Sequence, residues 1–308
     1  HMHHGDFYHG DAVRVTIGES EYGPSVGSGG SQTTASVAPA ARNADLLLFL
    51  DADTTLEPGL VRATVALLRE RRVGMLSLLS TLSHDRWFEV LLQPAATMEL
   101  LRQYPIVRAN ATRDRRAFAN GQFILIERSA YDRIGGHEAL RGAILEDVEM
   151  ARRCEWHDVP VALLLADELL RCRMYESYEA FRRGWRRIYS ESTNRKPARL
   201  RRLSRRVRLI GTIVPIASLL AIAVGLWRWP ITHEPIAAAA VVLGVVGTIA
   251  YFGVAAISHR IGRCPVWAVP ASPVGWWLVG GILRDTARDL ESGRPTEWGG
   301  MAYARPRR

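Results

Sequence analysis

Two stretches without a charged side chain, residues 209–227 and 236–257, restrict this chain more than any other feature. About 20 apolar residues suffice to cross a bilayer core, so each stretch is long enough to cross as a helix. The short, nearly neutral linker at 228–235 suits a hairpin that crosses and returns. Immediately before the first stretch, residues 195–208 carry eight basic residues and no acid. Such a run can bind nucleic acid, but its position beside a span makes it a juxtamembrane anchor on the cytoplasmic side, and no nucleic-acid partner is expected. His259, Arg260 and Arg263 return the chain to that side. A third segment, 265–283, is interrupted by Pro270 and Pro273 and carries Trp267, Trp276 and Trp277. Its flanks are both basic, which opposes a simple crossing and favours a re-entrant or interfacial segment.

The other half of the chain is mixed and polar, and its centre is DLLLFLDADTTLE at 45–57. An apolar run, 46–50, ends in Asp51-Ala52-Asp53. That pattern predicts a buried strand with two carboxylates at its C-terminal tip, the edge where open α/β sheets bind ligands. Two hard oxygen donors one residue apart suit Mg²⁺ or Mn²⁺, which can neutralise a diphosphate. Pro58 is expected in the first turn of a helix through Val61, Val65 and Leu68, and 73–79 is expected as a second strand, so a βαβ unit with a parallel sheet is favoured.

Further along, 86–104 reads either as a core helix or as an in-plane helix touching a bilayer. A strand is expected over 117–126, a helix closing on Gly135-Gly136, a helix opened by Glu146-Asp147, and a strand over 161–166. Ser177 is expected to cap a helix with Tyr178, Phe181, Trp185 and Ile188 on one face. Its arginines, Arg182, Arg183, Arg186 and Arg187, lie largely off that face, suited to an anionic surface. Residues 23–36 are rich in Gly, Ser and Thr and read as loop despite Gly27, Gly29 and Gly30; a short strand is expected at 13–17. The histidines His1, His3, His4 and His9 are read as an appended remnant, not a metal site. Cys154, Cys172 and Cys264 show no pairing or ligand spacing and are assigned no chemistry.

Taken together, LLLFLDADTTLEPG at 46–59, NGQFILIERSAYDRIGG at 120–136, LEDVEMARR at 145–153 and FRRGWRR at 181–187 resemble membrane-bound inverting family 2 glycosyltransferases. The similarity is greatest to those that glycosylate carotenoids, hopanoids and polyprenyl carriers. The resemblance implies an α/β fold with a GT-A (Rossmann-like) mixed sheet, N-terminally truncated, followed by a C-terminal α-helical membrane region. The expected division is a remnant at 1–41, a catalytic domain at 42–194, a basic linker at 195–208 and a membrane region at 209–308 with two or three hydrophobic helices. It further implies that Asp51 and Asp53 hold the metal and the donor diphosphate. Asp147 would be the general base with Glu146 in support. Asn120, Gly121 and Gln122 would face donor sugar and acceptor, and Arg182, Arg183 and Trp185 would contact diphosphate and acceptor. Gly184 departs from the family's (Q/R)xxRW pattern. The implied partners are a nucleotide-sugar donor, a lipid acceptor and the bilayer, in a multi-pass cell-membrane protein with a cytoplasmic catalytic domain. The competing expectation is a non-catalytic remnant or membrane-associated structural partner.

Overall fold

The computed structural model describes residues 15–19, 44–111, 113–141, 143, 145–293, 296–298 and 301–303. The readings of the histidine-rich opening and of the glycine-rich stretch at 23–36 fall outside the described residues. In chain order the first elements are β1 (Val15–Glu19), β2 (Leu46–Leu50), β3 (Thr54–Leu56), α1 (Leu60–Arg71), β4 (Met75–Leu79) and β5 (Thr81–Leu82). Then come α2 (Trp87–Gln103), α3 (Ile106–Ala109), β6 (Phe123–Glu127), α4 (Arg128–Arg133), α5 (Glu146–Trp156), β7 (Val161–Leu165) and β8 (Leu170–Cys172). There follow α6 (Tyr178–Ser192), α7 (Pro197–Arg208), α8 (Val214–Thr232), α9 (Pro235–Ile261) and α10 (Ser272–Glu291), and last the paired strands β9 (Thr296–Trp298) and β10 (Met301–Tyr303). They form two compact units, and Ser83–Gln103 belongs with the later helices and not with the sheet that flanks it in sequence.

The first unit is an α/β domain around a five-stranded sheet of order β1-β2-β6-β4-β7. Alternation along β2 explains why its whole run is apolar: Leu47 joins one core with Ile124, Ile126, Met75 and Met150, while Leu46 and Leu48 join a second with Leu76, Phe123, Leu125 and Leu68. A strand covered on both faces needs no polar side. The sheet is mixed. β1 pairs parallel to β2, and β4 parallel to β7, but β6 lies between β2 and β4 and is antiparallel to both. The expected direct parallel pairing across the βαβ unit is therefore corrected: β2 and β4 share a direction without sharing a ladder.

Two boundaries also move. The helix after the acidic tip starts at Leu60, because Gly59 at φ 90° makes the turn, so Pro58 precedes the helix. The strand expected over 117–126 begins only at Phe123. Before it, Asn120 spends its hydrogen bonds on β4 out of ladder register: its N–H donates to Ser77 Oγ at 2.8 Å and its Nδ2 to the Leu78 carbonyl at 2.9 Å.

The second unit is helical. A π-helical turn, Leu209–Ile213, joins α7 to α8, so Pro197–Ile231 is one 35-residue helix. The basic stretch is thus a helix whose face Leu200, Leu203, Ser204 and Val207 is buried. Among the described residues three helices, Pro197–Ile231, Pro235–Ile261 and Val266–Glu291, are long and apolar enough to cross a membrane. α8 and α9 pack closely: a Cβ on Gly244 would sit 2.5 Å from the Ser218 carbonyl oxygen, a small-residue approach typical of helices in lipid. α10 packs against α2, α6 and α7. In α2 the sequence reading missed a buried polar face of Glu89, Gln93, Glu99 and Gln103. Glu99, 1% exposed, accepts from Arg102 Nη2 at 2.8 Å and Arg206 Nη2 at 2.5 Å.

Candidate active site

The acidic tip is shaped by a tight turn. The Asp51 carbonyl accepts from Thr54 N–H at 3.2 Å and from Thr54 Oγ1 at 2.6 Å, which ends β2 and starts β3. β3 then pairs with β8, Thr54 opposite Cys172, and Arg173 N–H donates to the Asp53 carbonyl at 3.1 Å. At the C-terminal edge of the sheet Asp51 is half-buried and Asp53 exposed. Partial burial of its carboxyl group nonetheless pushes the Asp53 pKa up. Among the described residues no group of three or more His, Cys, Asp or Glu side chains forms a ready-made cation cage. Two carboxylates are nonetheless the donor set Mg²⁺ or Mn²⁺ uses when phosphate oxygens and water complete its shell, so Asp51 and Asp53 fit such an ion.

Register brings a second motif to the same edge, since Leu50 at the end of β2 lies opposite Phe123 at the start of β6. The loop Asn120-Gly121-Gln122 therefore stands beside the tip. Gly121 N–H donates to Asp147 Oδ2 at 3.0 Å, and Val148 N–H donates to Asp147 Oδ1 at 2.8 Å. Each oxygen of the predicted base is thus oriented by a backbone donor, Oδ2 from the loop and Oδ1 from the first turn of α5. Glu146 opens the same turn. On the loop's other side Gln122, 4% exposed, receives Ser80 Oγ at 2.5 Å and Asn120 Nδ2 at 2.8 Å on its Oε1 and donates Nε2–H to Cys172 Sγ at 3.1 Å. Its polar atoms are engaged inside the unit. Gly121 contributes its backbone.

Arg182, Arg183 and Trp185 belong to α6 in the helical unit. Ser177 Oγ caps that helix by accepting from Ala180 N–H at 3.1 Å, as expected. Phe181, Trp185 and Tyr189 form its buried stripe. The arginines were expected to face an external anionic surface, and for two of them this is corrected. Arg182 Nη2 lies 3.0 Å from Asp285 Oδ2, and Arg186 reaches Asp285 at 3.2 Å and Asp289 at 3.1 Å, so α10 supplies the acids. Arg183 is exposed.

Cys172 is the residue beside the tip that the sequence reading passed over. Its separation from Asp53 by more than a hundred residues carries no signal, and only the pairing of β3 with β8 brings it to this edge. A search against curated proteins finds no match. Residues 8–207 match the family described as Glycosyltransferase like family 2, a stretch that contains β1 through α7 except for the last residue of α7. That match covers well over half of the chain, which belongs to the family 2 glycosyltransferases and is a glycosyltransferase.

Proposed function

We propose that this glycosyltransferase moves a sugar from a nucleotide-sugar donor to a hydroxyl of a lipid or lipid-linked acceptor at the membrane, with inversion at the anomeric carbon. The observation that carries the reading is the loop Asn120-Gly121-Gln122, which is hydrogen-bonded to Asp147 through Gly121 and is set beside the Asp51-Ala52-Asp53 tip by the pairing of Leu50 with Phe123. The two acidic motifs are thereby held around one short segment. In this reading Asp147 takes the acceptor hydroxyl proton while that oxygen attacks the anomeric carbon. The new bond is carbon to acceptor oxygen, the broken bond is carbon to phosphate oxygen, and the electron pair leaves on the diphosphate. Glu146 adds negative charge beside the base. Asp51 and Asp53 would hold Mg²⁺ or Mn²⁺, which supplies charge neutralisation for the diphosphate. The loop 120–122 faces donor sugar and acceptor.

The membrane setting rests on the three apolar helices and on the cations that precede them. A 35-residue helix extends roughly 52 Å at 1.5 Å per residue, far more than the roughly 30 Å of a bilayer core. We therefore place α8 and α9 across a cell membrane and α7 on its cytoplasmic side. α10 is read as interfacial, because its last turns carry Arg284, Asp285, Arg288 and Asp289.

Calorimetry on detergent-purified protein tests the reading. With Mn²⁺ present, one of the common nucleoside diphosphates should bind, Asp53→Ala should abolish that binding, and Asp147→Asn should keep it while stopping transfer. No binding of any nucleoside diphosphate to the unmutated chain would sink the donor assignment; transfer surviving Asp147→Asn would sink the base.

A further inference from the structure

Where α7 meets α10, two arginines from different helices share a surface that offers them no acid. Arg208 lies along α10: a Cβ on Gly280 would come within 2.6 Å of its Cγ and 2.8 Å of its Nε, and a Cβ on Gly281 within 3.4 Å of its Nη2. The adjacent glycines open the slot in which this side chain runs. Its guanidinium carbon stands 4.4 Å from the centre of the Trp277 ring, and its Nε–H donates to the Trp277 carbonyl at 3.3 Å. The crossing is pinned on either side of Arg208, by Ser204 Oγ donating to the Gly280 carbonyl at 2.6 Å and by Thr212 Oγ1 donating to the Pro273 carbonyl at 2.6 Å. Arg284 is exposed, and it follows Gly280 by four residues and Gly281 by three, which sets it on the same face of α10. Helical side chains lean toward the N-terminus, here back over the glycines.

The acids at the end of α10 are already taken. Asp285 is held by Arg182 at 3.0 Å and Arg186 at 3.2 Å, Asp289 by Arg186 at 3.1 Å, and Glu291 by Arg201. Among the described residues neither Arg208 nor Arg284 forms an ion pair. Two cations on one face repel, and an anion between them reverses the sign. Toward its other end the same face turns apolar, with Trp277 one turn and Val274 two turns before Gly281, both exposed.

We propose that the α7–α10 crossing binds one anionic phospholipid, whose phosphate lies between Arg208 and Arg284 and whose acyl chain runs along Trp277 and Val274. Guanidinium forks match phosphate oxygens in plane, and the Trp277 ring fixes that plane for Arg208 before the lipid arrives. A free phosphate would meet the two cations and gain nothing from the apolar end of the stripe, which favours the lipid. The site rests on the reading that α8 crosses the membrane with α7 on its surface: Arg208 is the last charged residue before the uncharged stretch 209–227, at the depth where headgroups begin. It is a single site with fixed partners, separate from the general attraction of exposed cations to an anionic leaflet.

Native mass spectrometry of the detergent-purified full chain, titrated with dioleoyl phosphatidylglycerol, provides the test. One lipid per chain should bind ahead of all later ones. Dioleoyl phosphatidylcholine, with the same chains and a phosphate offset by choline, should bind more weakly by about tenfold or more. Arg208→Gln and Arg284→Gln should each cost about tenfold, the worth of a hydrogen bond between charged groups, whereas Arg202→Gln, at another exposed cation of α7, should cost less than about threefold. Because Arg284 is exposed, Arg284→Gln decides the matter if Arg208→Gln fails to fold. Equal affinity for the two lipids, or a loss in Arg202→Gln as large as in Arg284→Gln, overturns the site and leaves the membrane reading standing. Glycerol 3-phosphate binding as tightly as the lipid overturns the lipid as occupant. A chain that stays monodisperse once detergent is removed and takes up neither lipid overturns the membrane reading and the site with it.

Discussion

A Cβ on Gly184 would lie 2.4 Å from both Cε1 and the hydroxyl oxygen of Tyr175. The residue before Trp185 is therefore glycine because the Tyr175 ring occupies the space a side chain there would enter. Tyr175 is buried and its carbonyl accepts from Arg86 Nη1 at 3.0 Å, so it is fixed on both sides. The Tyr175 ring leaves no room at this position for the arginine of the (Q/R)xxRW pattern.

A prediction about stability follows from two opposed magnitudes. Replacing glycine by alanine inside a helix ordinarily gains about 0.5–1 kcal/mol, whereas overpacking a buried contact costs about 1–3 kcal/mol. The clash wins, so Gly184→Ala should lower the thermal unfolding midpoint in detergent, and Gly184→Arg should lower it further. Tyr175→Ala combined with Gly184→Ala should be less destabilised than the sum of the two single changes. A Gly184→Ala protein as stable as the parent would show that the ring moves aside freely.

Gly121 and Asp147 give a contrasting case. A Cβ on Gly121 would sit 3.6 Å from Asp147 Oδ2, an ordinary contact, and the N–H that orients the carboxylate would remain. Gly121→Ala should therefore leave the fold and the orientation of Asp147 unchanged, so that a loss of transfer in it reports crowding of donor sugar or acceptor at this loop. Asp147→Asn should lose about 10²- to 10⁴-fold in kcat, the usual worth of a positioned base. Steady-state rates with equal donor affinity would check both; a Gly121→Ala loss as large as that of Asp147→Asn would mean the glycine itself touches substrate.

These relations explain what the sequence made legible. The apolar run before Asp51, the glycine stop at Gly135-Gly136 and the Ser177 cap are local patterns, and local patterns survive into the fold. The antiparallel insertion of β6, the pairing of Cys172 with Thr54 and the neutralisation of Arg182 by Asp285 join residues far apart in the chain. Periodicity and spacing carry no record of such partners: the βαβ pattern by itself favours a parallel sheet, the mixed sheet follows only from the family resemblance, and spacing alone assigns the thiol no chemistry and points the arginines at an anionic surface. The polar stripe of α2 was missed for a related reason: Glu89 and Glu99 are tolerated in a buried face only because Arg86, Arg102 and Arg206 approach them, two of these from within the helix or its cap and one from α7.

His137 supplies a pH dependence. Its ring lies 4.7 Å from Phe49 and its Nδ1 is 2.8 Å from Tyr131 Oη, and burial holds its pKa below the ordinary 6.5. The folded state therefore favours the neutral ring. As pH falls through 6.5 the unfolded chain takes up this proton first, so stability drops with falling pH until the folded-state pKa is passed. For one proton the slope is at most about 1.4 kcal/mol per pH unit. His137→Gln should remove this component, so the gap in stability between parent and variant should narrow on going from pH 7.5 to 5.5 in denaturant titrations. A constant gap would show that the ring titrates alike in both states.

The arginines of α7 divide into two groups. Arg201 pairs with Glu291 and Arg206 with Glu99, whereas Arg199, Arg202 and Arg205, spaced by three residues along one side of the helix, have no ion-pair partner among the described residues. If α7 lies on the cytoplasmic leaflet, this unpaired row is the one that meets lipid headgroups, at about 1 kcal/mol per cation near an anionic surface. Full-length protein reconstituted in discs from mixed phosphatidylserine and phosphatidylcholine should hold phosphatidylserine above its share in the mixture. Changing Arg199, Arg202 and Arg205 to Gln should remove most of that enrichment, while Arg201→Gln, whose charge Glu291 already offsets, should change it little. Equal losses from the triple variant and from Arg201→Gln would mean that the whole helix acts as a diffuse charge, and that the pairing seen along α7 does not decide which cations face the membrane.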